Sequence, residues 1–84
     1  MTKMIQVNLD VQNVDQNEAQ EWANEIVNVY ADMEVANVNV SGNKIAFQAG
    51  FSGMDDTTSD DIQQKIEEYA TMTEIFQINK ISCS

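Results

Sequence analysis

Hydrophobic residues recur along this chain with a spacing that switches between two and about 3.6 residues, and the order of those switches is the strongest constraint on its fold. Ile5, Val7, Leu9 and Val11 alternate with Gln6, Asn8, Asp10 and Gln12, the pattern of a strand with one buried and one wet face. The spacing then turns helical. Ala19, Trp22, Ala23, Ile26, Val29, Tyr30 and Met33 follow an Asp15/Glu18 pair that reads as an acidic capping box, which predicts a helix from Asp15 to Asp32. Period two returns at Val35, with Ala36, Val38 and Val40 on one face and Asn37, Asn39 and Ser41 on the other. It resumes with Ile45, Phe47 and Ala49 and extends toward Phe51, so Gly42 and Asn43 predict a tight hairpin turn.

Gly50, Ser52, Gly53 and the run Asp55-Asp56-Thr57-Thr58 mark a loop. Thr58 or Ser59 then caps a second helix, with Ile62, Ile66, Tyr69, Ala70 and Thr73 on one side and an end near Met72. The closing segment from Ile75 to Ile81 is strand-like in composition. Its alternation is broken, because Phe76 and Ile78 suit one face while Ile75 and Ile81 suit the other, and a β-bulge reconciles them. The resulting order, βαββαβ, is the split βαβ pattern of the ferredoxin-like fold. The expectation is an α+β two-layer sandwich: a four-stranded antiparallel sheet, the first and third strands central, with both helices on one face. Its core would be Ile5, Val7, Leu9, Val38, Val40, Ile45 and Phe47 against Trp22, Ile26, Val29, Ile62, Ile66 and Tyr69. At 84 residues the chain, 1–84, is read as one domain.

Charge narrows the function classes. The chain has 14 acidic residues, four lysines, no arginine and no histidine, for a net charge of -10. The usual forks for phosphate and the usual near-neutral proton shuttle are both missing. Acid/base or nucleophilic catalysis would have to rest on carboxylates and lysines, so the reading is no enzyme and no cofactor. Asp55 to Asp61 offers hard oxygen ligands but lacks the spacing, central Gly and terminal Glu of an EF-hand loop, and Asp60 and Asp61 fit the first turn of a helix better; no metal is expected. Cys83, one residue from the end of the sequence, reads as a frayed-tail thiol. No apolar run approaches the roughly 20 residues that span a bilayer, and no signal-peptide pattern precedes the first strand, so a cytoplasmic protein is expected.

Direct nucleic-acid binding is disfavoured. The sheet face away from the helices would carry Gln6, Asn8, Asp10, Asn37, Asn39, Gln48 and Gln77, an amide-rich surface without aromatics for base stacking, on a chain that repels phosphates. The most informative feature is on the first helix. Glu18, Glu21, Glu25 and Asp32 fall on one stripe with Asn28, with no lysine on the helix to pair with them. This stripe reads as a docking surface for a basic protein partner, with Trp22 or Tyr30 as an anchor beside it. In charge and size alone, the chain resembles the nucleic-acid-mimicking inhibitors that phages and mobile elements direct against restriction or CRISPR machinery. That resemblance implies action by occluding a surface that normally holds nucleic acid. The alternative is a self-associating structural or regulatory domain, a homodimer paired through the amide-rich sheet face or an edge strand.

Overall fold

The computed structural model describes residues 3–12, 15–74 and 77–84. The elements are β1 (Ile5–Gln12), α1 (Gln16–Val29), β2 (Met33–Ser41), β3 (Lys44–Phe51), α2 (Ser59–Thr73) and β4 (Gln77–Cys83), in the order the periodicity predicts. The strands form one sheet in the order β2-β3-β1-β4 with every pairing antiparallel, so β1 and β3 are central and β3 separates the parallel β1 and β2. Both helices lie on one face. Ala19, Trp22, Ala23 and Ile26 of α1 and Ile62, Ile66 and Tyr69 of α2 share one buried cluster with Ile5, Val7, Leu9, Val11, Ile45, Phe47 and Ala49 of the sheet. This is the ferredoxin-like α+β sandwich, and each large aliphatic residue in its core contributes roughly 1.5 to 3 kcal/mol by leaving water.

Local chemistry sets the element ends. The Asp15 carboxylate accepts from the N–H groups of Asn17 (2.9 Å) and Glu18 (3.2 Å) at the start of α1. Thr58 and Asp61 form a reciprocal capping box at the start of α2, so the acidic run before it does open a helix. α1 ends at Val29, three residues before the expected Asp32. Tyr30 is already extended and the chain turns there, with the Met33 N–H on the Tyr30 carbonyl, and Met33 becomes a buried strand residue opposite Phe51.

A bulge in β2 corrects the strand reading, and a bulge in β4 bears it out. In β2 the register shifts between Ala36 and Asn39, where Asn37 takes a positive φ of 56°. The extra residue flips the parity of the strand, so Val35 pairs with Ala49 on the core face while Ala36 pairs with Gln48 on the open face. Unbroken alternation would place Ala36 inward. Val38 and Val40 are only partly buried against the core, and Val29 is 49% exposed, so the core is narrower than expected at α1 and β2. In β4 the expected bulge is present: Ile81 pairs with Leu9 and Ile78 with Val11, which places both on the core face. Ile75 and Phe76, the expected start of that strand, lie outside the described residues. β4 continues to Cys83, which faces Val7, and Ser84 exchanges two hydrogen bonds with Gln6, so the tail is paired and not frayed.

Candidate functional site

Charge is divided between the two layers of the sandwich. Of the acidic residues only Asp10 and Glu34 lie on strands; all others lie on the helices or in the segments that flank them. The lysines distribute the opposite way. Lys44 and Lys80 are on strands, Lys3 just precedes β1, and Lys65 alone is on a helix. The open face of the sheet is accordingly almost neutral. Across it run Ala36, Gln48 and Gln6, then Asn39, Ala46, Asn8 and Ser82, then Ser41, Lys44, Asp10 and Lys80, with Asp10 ion-paired to Lys44. The amide Nδ2 of Asn37 donates to Gln48 Oε1 at 2.7 Å, tying the β2 bulge to this surface.

The helical layer carries the field. Glu18, Glu21 and Glu25 are all exposed on α1, at the i, i+3 and i+7 positions that share one face. Asp32 does not join them: it lies past the end of α1, in the turn before β2, where its carbonyl accepts from the Ser52 N–H at 2.6 Å. Exposed Asn28 continues the stripe as expected, and exposed Val29, one turn beyond Glu25, extends it with an apolar residue. On α2, Asp60 and Glu67 and likewise Asp61 and Glu68 are seven residues apart, all exposed, and form further carboxylate rows. The i, i+7 spacing is a signal present in the sequence, and it adds to the first-turn role of Asp60 and Asp61 a place in these rows.

The seam between the helices joins these rows. Lys65 Nζ sits 5.0 Å above the Tyr30 ring and 3.9 Å from Glu68. Burial, and then the Glu68 charge, raise the Tyr30 pKa; burial, then Glu25 and Tyr30, push Tyr69 up to about 12. Tyr30, Lys65 and Glu68 thus meet at this seam. Trp22 lies beneath it, 1% exposed, and offers no contact surface to a partner in the folded chain. Its indole Nε1 donates to Thr73 Oγ1 at 2.8 Å, and its ring packs on Tyr69 (5.0 Å) and edge-on to Phe47 (6.4 Å). Tyr30 is half-buried in the same seam with its hydroxyl enclosed.

Chemically, this is a set of exposed carboxylates. Among the described residues no carboxylate is buried, and no three acidic or cysteine side chains converge as a metal site would require. No described helix is long and apolar enough to cross a membrane. In comparison with known proteins the chain matches no family model, no curated protein and no solved structure.

Proposed function

We propose that this protein is a non-enzymatic acidic binding module of the cytoplasm, which docks its helical layer on a basic protein surface, one that normally holds nucleic acid, and acts by occlusion. The observation that carries this reading is the segregation of charge: acids concentrated on the helices, with Lys65 the one helical lysine, opposite a nearly neutral sheet face. Like charges at i,i+3 and i,i+4 each cost a helix about 0.2 to 0.5 kcal/mol, so Glu18, Glu21 and Glu25 together oppose folding, which suits residues kept for a partner. Exposed carboxylates outside any enclosed cleft suit long-range attraction better than proton transfer. Size and charge fit the phage-type inhibitors of restriction and CRISPR systems. Glu18, Glu21 and Glu25 supply the field on α1, Glu67 and Glu68 extend it on α2, and Val29 replaces Trp22 as the apolar contact beside the stripe.

The test begins with capture of a partner from a nuclease-bearing host and continues with the Glu21→Lys, Glu25→Lys variant. That variant is expected to fold as the parent does and to bind the captured partner at least about tenfold more weakly, chiefly through a slower on-rate. Unchanged affinity and unchanged salt dependence would remove the helical face from the mechanism. Self-association through the sheet is the second reading, favoured by the nearly neutral rows around Asn8 and Ala46.

A further inference from the structure

β4 is an edge strand, and among the described residues no strand lies on its outer side. The ladder dictates which backbone groups face outward. Gln6 and Ser84 exchange both N–H···O bonds, at 2.9 and 3.0 Å, and in an antiparallel pair such exchanges fall on alternate residues. Ser82 and Lys80, opposite Asn8 and Asp10, thus turn their N–H and C=O groups toward β1, while Ile81 and Cys83 turn theirs outward. Donors and acceptors two residues apart on a free edge are the template for an added strand.

An open groove of about 430 Å³ runs along this edge between α2 and β4. Half-buried Ile78, Ile81 and Ala70 form its apolar wall, the β4 bulge having placed both isoleucines on the helix side. Glu67 overhangs it, accepting from Gln63 Nε2 at 3.3 Å. Burial, and then the Glu67 charge, raise the pKa of the Cys83 thiol. Lys80, also at the rim, pairs across from Asp10 on the opposite face of the sheet.

We propose that this edge receives an extended basic peptide segment, which adds as a fifth strand. Its backbone bonds to Ile81 and Cys83, one apolar side chain covers Ile78 and Ile81, and a Lys or Arg meets Glu67. A second copy is the wrong occupant. Pairing two β4 strands about a two-fold axis would set the two α2 helices side by side, with Glu67 and Glu68 of each facing like charges. The site goes beyond the acidic docking face, with which it shares Glu67: Glu18, Glu21 and Glu25 lie on α1, which packs along β2, whereas this edge lies beside α2.

The probe is a synthetic peptide in which Val and Lys alternate on one side of an extended strand and Thr fills the other. Titrated into the full chain, it is expected to shift the amide NMR signals of Ile81 and Cys83 and slow their hydrogen exchange, and the same peptide with Glu for Lys is expected not to bind. Cys83→Pro removes an outward N–H without breaking a β1–β4 bond, so the fold survives while affinity falls about tenfold. Glu67→Lys is expected to weaken binding to a similar degree, about tenfold. The Glu21→Lys, Glu25→Lys variant is expected to retain the peptide, so failure of either surface leaves the other standing. Three results would overturn the proposal: full affinity of Cys83→Pro for the peptide, shifts confined to α1, or a dimer in sedimentation velocity with the Ile81 and Cys83 amides already protected.

Discussion

Glu74 closes α2 in the left-handed region, at φ 47° and ψ 35°, where its Cβ is crowded and a glycine would be at ease. Its carboxylate also meets the negative end of the helix dipole, with no basic residue in the last turn to offset it. Glu74→Gly relieves both penalties and is expected to raise stability by about 0.5 to 1 kcal/mol, read as a higher urea midpoint at unchanged slope. A lower midpoint would mean that the Glu74 side chain makes a contact worth more than the strain. The candidate-site residues were legible in the sequence only as far as the helix geometry held. Spacing placed Glu18, Glu21 and Glu25 together, correctly, and it placed Trp22 on the adjoining flank without revealing its depth. Val29 and Asp32 failed for a shared reason. At 100° per residue Val29 lies about 60° from Ile26 and 40° from Glu25, on the boundary between faces, and Asp32 has a place on the stripe only if the helix reaches it.

At the scale of elements, the two helices are joined by a polar circuit inside an apolar core. Trp22 Nε1 donates to Thr73 Oγ1, Thr73 Oγ1 donates to the Tyr69 carbonyl at 2.9 Å, and the Tyr69 hydroxyl donates back to the Trp22 carbonyl at 2.6 Å. Thr73→Val keeps the shape but leaves the buried indole N–H without its acceptor, at an expected cost of about 1 to 3 kcal/mol. Trp22→Ala opens a cavity against Phe47 and Tyr69 and is expected to cost more, about 3 to 5 kcal/mol. Denaturant melts of both variants check the order; a Thr73→Val protein as stable as the parent would remove the circuit from the account of helix docking. Element type and order were legible from period together with caps and the Gly42 turn, and for β4 from composition, because each switch from two to 3.6 coincides with a cap. Parity within a strand was less so. The broken alternation of Ile78 and Ile81 announced the β4 bulge, whereas in β2 Val35 and Ala36 are both small and apolar, and either suits the core. Only pairing with β3 decides between them, and that is tertiary information.

Across the whole molecule the deciding quantity is unpaired negative charge. The principal dimensions are 35 × 23 × 21 Å, and among the described residues the ion pairs are Lys44 with Asp10 and Lys65 with Glu68, both exposed. Screening extends about 30 Å at 0.01 M salt and about 8 Å at 0.15 M, so at low salt every carboxylate feels all the others, and at physiological salt only its neighbours. Unfolding spreads the charges apart and relieves the repulsion, so added salt should stabilise the folded chain. A gain of about 1 kcal/mol corresponds to roughly 4 to 8 °C in melting temperature for a domain of this size. Association with a basic surface responds in the opposite direction, because the same screening weakens the attraction. The expected outcome is therefore a pair of opposed slopes over one salt range: melting temperature rising and partner affinity falling. Glu21→Lys with Glu25→Lys takes the net charge from -10 to -6, two units for each reversal, and should flatten both slopes together. A melting temperature that falls with salt would show that specific ion pairs outweigh the net repulsion. An affinity indifferent to salt would move the binding surface from the helical layer to the neutral face of the sheet.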